Sequence, residues 1–254
     1  MSRAAIVREK VWARLRAVAR PDSRFDFNFA EVIPDFVGSE MALERFVATE
    51  RYKAARYVFV TPDNGLATLR SRLLEDGKSL VVSTYGIYRG FFLLEPQNVP
   101  KGHELYAGWL DGLEHFGRPI SLAEIVARGR FDFMATGASA VSMSGLRFGK
   151  GHGFFDLEWG MFTDIGVADE TTFVAAFVHD VQVLDEPMTP GPTDISADLI
   201  VTPTRMIATA RAARPTGVKW DLLSEAQIAT TPPLQTLRDH FVKGQVTTDI
   251  SRLP

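Results

Sequence analysis

Between residues 57 and 207, short β-branched runs alternate with segments of helical period, and no other feature restricts the possible folds as much. Tyr57-Val-Phe-Val60 followed by Thr61-Pro-Asp-Asn-Gly65 reads as a strand and a turn. Leu66, Leu69, Leu73 and Leu74 then recur at helical spacing, predicting a helix over 65–76 that Gly77 stops. Leu80–Thr84 and Phe91–Leu94 are further strands, whereas 100–120 has little periodicity and reads as loop. Ser121 with Glu124 has capping-box spacing and starts a helix over 122–128. Apolar runs at 131–135 and 138–143 lead to residue 145, and a helix-like run covers 154–163. Thr172–Val178 is nearly continuously apolar, as expected of a strand covered on both faces, and Ala197–Val201 is another strand. The rhythm predicts a single three-layer α/β/α domain with a mostly parallel sheet, spanning 1–254.

The flanks extend this domain. Val7, Val11, Leu15 and Val18 mark an amphipathic N-terminal helix at about 3–20, ended by Pro21. An aromatic, irregular stretch over 22–40 follows, then a helix at about 40–53 with Met41, Leu43, Phe46 and Val47 inward. A proline-rich connection occupies 186–192, and a C-terminal extension covers about 210–254 with a helix near 232–242. A net charge of −3 gives no electrostatic case for nucleic acid or an anionic membrane. The absence of cysteine excludes disulfides, zinc–thiolate sites and a cysteine nucleophile. No apolar run is long enough to span a bilayer, and the start lacks a secretory apolar core, so the expected location is the cytoplasm.

The chemistry concentrates at 147–156. Gly149, Gly151 and Gly153 alternate with Lys150 and His152, between Arg147 and the run that carries Asp156. Glycines let backbone N–H groups approach an anion, and a helix starting at 154 adds its unpaired N–H groups in the same place. Arg147 and Lys150 supply full charges, and Asp156 is placed to hold a divalent cation on the same phosphates. The pattern is neither G-x-x-x-x-G-K-[ST] nor G-x-G-x-x-G, and the spacing alone also fits an ordinary loop before a helix.

Other residues carry two readings each. Lys10 and Arg14 project from one side of the first helix, as a solvated cationic face or as phosphate contacts. Glu158 reads as a solvated helical acid or a metal ligand, and His179-Asp180 as a core pair or an acid/base pair. Arg205 follows the last strand, where α/β sheets bind ligands. Trp159 and Trp220 read as packing groups.

Arg147-Phe-Gly-Lys-Gly-His-Gly-Phe-Phe-Asp156 resembles the R-x-G-x-G-x-G-Y-Y-D signature of 5-formyltetrahydrofolate cyclo-ligases. Lys10 and Arg14 look like that family's amino-terminal ATP-contacting pair, and Thr193-Asp194 with Asp198 looks like its H-D-x-x-x-D segment. Val32–Phe36, Val178–Val183, Thr202–Arg205 and Arg214–Gly217 are similar to the methenyltetrahydrofolate-synthetase-domain branch. The resemblance implies ATP and Mg2+ as cofactors and a reduced folate or related heterocycle as substrate. The nucleotide would lie on Lys10, Arg14, Arg147, Gly149, Lys150, Gly151, His152, Gly153, Phe154 and Arg205, with the metal on Asp156 and Asp194. Arg147, Lys150 and Asp156 would serve catalysis, in which the formyl oxygen is phosphorylated and the folate N10 then closes the methenyl ring with loss of phosphate.

Three positions depart from the enzyme's pattern. Phe154-Phe155 replaces Tyr-Tyr, Leu157 stands where arginine is frequent, and Pro62-Asp63-Asn64 replaces a pterin-contacting glutamate after the first strand. These departures leave two alternatives: a paralogue acting on another amide-like or heterocyclic substrate, such as a thiamine-related one, or a non-catalytic folate- or nucleotide-binding module.

Overall fold

Phe59 packs into one apolar cluster while its neighbours Val58 and Val60 pack into another, so the first strand is covered on both faces. That burial pattern organises the computed structural model, which describes residues 3–186, 188–210 and 213–242. Pro187 in the 186–192 connection and the part of the C-terminal extension beyond 242 lie outside the described residues.

The chain begins with α1 (Arg3–Leu15), α2 (Ser39–Val47) and α3 (Glu50–Ala54), followed by β1 (Tyr57–Val60), α4 (Ala67–Glu75) and β2 (Ser79–Ser83). Next come β3 (Phe91–Leu94), α5 (Glu104–Gly108), α6 (Leu110–Phe116), β4 (Arg118–Ile120) and α7 (Leu122–Arg128). The strands β5 (Met134–Gly137), β6 (Ala140–Ser142) and β7 (Arg147–Phe148) lead into α8 (Phe154–Asp164). After it come β8 (Val174–Phe177), β9 (Val183–Leu184), β10 (Leu199–Val201), β11 (Met206–Ala208), α9 (Glu225–Ala229) and α10 (Pro232–Val242).

Eight strands form one sheet in the order β11-β10-β8-β5-β1-β2-β3-β4. Its centre, from β10 to β2, is parallel, and β11, β3 and β4 add antiparallel edges. One face packs on α8 through Phe59, Met134, Trp159 and Phe162; the other carries Phe46, Phe133 and Phe177. A fully buried side chain of this size contributes roughly 1.5–3 kcal/mol, so the two apolar layers are what hold the sheet between its helices. A three-stranded sheet, β7-β6-β9, leaves the end of β5 and leads into the loop at 149–153. The architecture is the expected single α/β domain with helices flanking a largely parallel sheet.

Three local expectations need correction. The 100–120 segment holds α5, α6 and β4, elements of 5, 7 and 3 residues, too short to express a period. The helix expected over 40–53 is two, because the Thr49 side chain accepts from the Tyr52 N–H and caps a new start. The first helix stops at Leu15, and Ala19 pairs with Phe36 instead of continuing it. Within the expected, mostly parallel sheet, β3 runs antiparallel to β2, since a parallel return needs a crossover of a dozen or more residues and the link through Gly90 is shorter. Among the described residues no helix is long and apolar enough to cross a membrane.

Candidate functional site

Arg147 on β7 and Asp156 in the first turn of α8 bracket the glycine loop and bind each other across it. The Arg147 Nη1 donates to Asp156 Oδ1 at 2.9 Å, and the guanidinium lies 4.5 Å from the centre of the Phe155 ring. Between them, Gly151 and Gly153 have φ of +114° and +68°, backbone that L side chains rarely adopt, and Gly153 is the N-cap of α8. Among the described residues, no backbone hydrogen bond uses the N–H groups of Lys150, Gly151, His152 or Gly153. With the free N–H groups of the first turn of α8 they form a concentration of donors suited to an anion.

The side chains around the loop are charged and mostly withdrawn from water. Burial pushes the Asp156 carboxyl up to about 6; Arg147 opposes the shift, nearby Asp194 adds to it, and the Ile195 N–H donates to Oδ1 at 3.3 Å. The Lys150 ammonium is lowered, chiefly by burial, with Asp63 and Glu31 acting against the shift. Its Nζ donates to the Glu31 carbonyl at 2.6 Å and lies 4.4 Å from the Tyr85 ring centre. His152 stacks on Phe154 with ring centres 5.4 Å apart. The Asp194 carboxylate accepts from the Gly191 N–H at 2.7 Å.

Two cavities meet at this loop. One is walled by Tyr85, Phe154 and Phe155 and floored by Asp63, Ser83 and Glu158, with Arg147 and Lys150 at its side. The other lies between the loop, Trp159, Thr193 and the C-terminal segment at Pro215–Leu223. His152, Gly153 and Asp156 line both. A group bound on the loop is therefore accessible from two sides, which is the arrangement a two-substrate transfer needs.

Several sequence-singled residues fall elsewhere. Lys10 and Arg14 are exposed on α1. The cation that α1 brings to the loop is Arg8, whose guanidinium lies 3.3 Å from where a Cβ on Gly151 would stand. Arg205 is half-exposed and faces Asp180 at 3.7 Å, lining neither cavity. His179 accepts from the Val181 N–H, and Asp180 accepts from Thr202 and Thr204. Trp159 is buried, its Nε1 donating to the Pro215 carbonyl at 2.8 Å. Asp198 takes a structural part: it accepts from the Val174 N–H and from the buried Arg214 guanidinium at 2.7 Å.

Glu158 is the clearest correction. It is 1% exposed and lines the aromatic cavity, so it is not a solvated helical acid. Burial pushes its carboxyl up to about 8; the Ser83 hydroxyl beside it and Arg147 work against the shift, while Asp63 and Asp156 add to it. The signal was in the spacing, since Phe155, Glu158, Trp159 and Phe162 all lie on the buried stripe of α8. Asp63, after the first strand, accepts on Oδ2 from Thr61 Oγ1 at 2.6 Å and from the Gly137 N–H at 2.9 Å. Tyr85, Ser83 and Arg24, also in the aromatic cavity, had no sequence signal of their own.

Asp194 lies near enough to help raise the Asp156 carboxyl, and a hard divalent cation takes such oxygen ligands. Among the described residues no three His, Cys, Asp or Glu converge as a protein-only metal centre. Two carboxylates suit magnesium, which commonly completes its octahedron with phosphate and water oxygens.

The profile of the 5-formyltetrahydrofolate cyclo-ligase family matches residues 1–203. Methenyltetrahydrofolate synthase domain-containing proteins of Bos taurus and Homo sapiens are each 32% identical over 236 residues, 91% of this chain. The match takes in 61% of the bovine protein and 60% of the human one, so the chain spans about three fifths of the length of these relatives. The NMR structure of 5,10-methenyltetrahydrofolate synthetase from Aquifex aeolicus has the same fold, with a TM-score of 0.51 at 18% identity over 87% of this chain and 99% of that one.

Proposed function

The chain belongs to the 5-formyltetrahydrofolate cyclo-ligase family, and from that premise we propose that it is an ATP- and Mg-dependent ligase that converts 5-formyltetrahydrofolate to 5,10-methenyltetrahydrofolate. The observation that carries the reading is the pair of cavities joined at the glycine loop, with Asp156 open to both. In this reading the triphosphate lies over the loop from the side of Trp159 and Thr193, and the acceptor ring lies in the aromatic cavity.

The chain's own part is positioning and charge. Arg8, Arg147 and Lys150 offset negative charge on the phosphates, together with the unpaired N–H groups of 150–153 and the start of α8. Asp156 and Asp194 would hold the magnesium, which would neutralise phosphate charge when bound. Tyr85, Phe154 and Phe155 flank a flat ring and exclude water from the transfer. Ring closure is intramolecular, so no protein nucleophile is needed, in keeping with a chain that has no cysteine.

A second reading has a specific observation in its favour. Asp63 is tied to Thr61 and Gly137, and two phenyl rings replace two phenols, so the acceptor can be a different amide-like heterocycle served by the same ATP site. Ligand-linked thermal stability separates the two, because each ligand stabilises the state it binds. The folate reading expects melting shifts with MgATP and with 5-formyltetrahydrofolate, each given alone. A shift with MgATP and none with the folate would move the assignment to another acceptor.

A further inference from the structure

Where β1 gives way to the turn that carries Asp63, side chains replace the sheet's own hydrogen bonds. Regular pairing of β1 with β5 runs to Val60↔Ala135, and the Thr61 N–H still donates to the Ala135 carbonyl at 3.0 Å. Beyond that point the Thr61 carbonyl accepts from Arg70 Nη1 at 2.7 Å, and the Gly137 N–H donates to Asp63 Oδ2 at 2.9 Å. Thr61 Oγ1 donates to the same Asp63 oxygen at 2.6 Å. Among the described residues Oδ1 of Asp63 takes no hydrogen bond, and Asp63 lines the aromatic cavity together with Thr61 and Pro62. The aim of this carboxylate therefore depends on how the backbone of 61–63 is held.

Arg70, on α4, holds it from behind. This side chain is 2% exposed and does not line the cavity. Among the described residues its hydrogen bonds all go to main-chain carbonyls: Nη1 to Thr61 and, at 3.0 Å, to Asp63, and Nε to Gly108 at 2.6 Å. Burial pulls the guanidinium down to about 10 and the Asp63 charge opposes that shift, so it stays a cation at neutral pH. A neutral side chain of similar length would fill the space without the cost of desolvating a charge. What the guanidinium adds is a rigid fork of donors that grips two separate pieces of backbone at once. The second piece is a firm anchor. A Cβ on Gly108 would stand 2.7 Å from the Ala67 carbonyl oxygen, so the end of α5 lies directly on the backbone of α4.

We propose that Arg70 is a positioning residue for the acceptor: it braces the 61–63 turn against α5, fixes the aim of Asp63, and so sets acceptor affinity without touching the acceptor. The inference rests on the reading that the aromatic cavity takes the acceptor. It goes beyond that reading by placing control of Asp63 on α4, outside the cavity.

The test uses the full chain with Arg70→Lys, which keeps the charge and loses the fork, and with Arg70→Met, which loses both. Amide exchange followed by NMR reads the turn directly, because the acceptor of the Gly137 N–H is Asp63 itself. That amide exchanges about tenfold faster in Arg70→Lys, while the Val81 N–H at the sheet centre is unchanged. In the same variant KM for 5-formyltetrahydrofolate rises about tenfold, with kcat and MgATP affinity within about twofold of the parent. Added to Asp63→Ala, Arg70→Lys raises KM no further, because its effect passes through Asp63. A lower melting temperature with Gly137 exchange and KM unchanged would overturn the proposal and leave Arg70 a packing group. Effects on KM that multiply in the double variant would overturn it too. Should Arg70→Met fail to fold, Arg70→Lys decides alone. A parent that does not turn over 5-formyltetrahydrofolate would refute the cyclo-ligase reading, and Gly137 exchange would still decide for or against Arg70.

Discussion

At the scale of single residues, Arg8, Lys10 and Arg14 are the basic side chains described on α1, and of these Arg8 is the one that meets the glycine loop. Arg8 lies about 20° around α1 from the buried Leu15, whereas Arg14 lies about 100° from it on the opposite flank of the stripe and Lys10 about 140°, and both are exposed. Arg8→Ala should weaken MgATP binding about tenfold by calorimetry, roughly 1.4 kcal/mol, the loss of one charge-assisted contact. Lys10→Ala and Arg14→Ala should each change it less than about twofold, as exposed charges screened by salt.

Glu158 makes a second residue-scale prediction, in pH. Its carboxyl goes from the ordinary value of 4.5 to about 8 in the folded protein, mainly through burial, so the folded state holds a proton that the unfolded chain releases. Stability from this group is complete below the unfolded value and is lost as pH rises through the folded one. Glu158→Gln cannot lose a proton there. Melting temperatures of the two proteins should therefore diverge in favour of the variant between about pH 5 and 8 and run parallel above. A difference independent of pH would contradict the burial of this carboxyl.

At the scale of elements, the loop and α8 act as one unit because Gly153 turns the chain with φ +68° into the helix. No atom stands within 4 Å of where its Cβ would be, so the cost of Gly153→Ala is the backbone alone, about 1–2 kcal/mol. Gly149→Ala, at a position outside the left-handed region with only the Arg147 guanidinium nearby at 3.5 Å, should cost much less in the same thermal melts.

This unit was legible in the sequence because its glycines, its flanking cations and the periodicity of α8 all occur within a few residues. The central strands were legible for the same reason, each being a continuous β-branched run such as Tyr57–Val60. The helices α5 and α6 were not, since 5 and 7 residues give hardly two turns of pattern. Arg8, Ser83 and Tyr85 escaped for a different reason. Each reaches the site from a distant part of the chain, and only the folded sheet shows that α1, β2 and β7 converge there.

At the scale of the whole molecule, the parallel centre of the sheet sends its strand ends toward the small β7-β6-β9 sheet, which delivers the loop between two cavities. On one side the C-terminal segment closes the wall, held to the sheet by the buried Arg214–Asp198 pair. On the other side residues 24–33 and 83–87 form the aromatic chamber. Neither wall comes from the loop itself, so the fold as a whole, more than the glycine motif, defines where two ligands meet. Asp156 is the point they share.

The most direct measurement of that claim is the absorbance of the 5,10-methenyl product, followed with purified protein, MgATP and 5-formyltetrahydrofolate. The account predicts product formation that requires ATP and falls at least a hundredfold in Asp156→Ala, a loss of about 2.7 kcal/mol in transition-state stabilisation. Absence of product from folded protein that is stabilised by MgATP would contradict the folate assignment. An Asp156→Ala variant as active as the parent would contradict the meeting point itself.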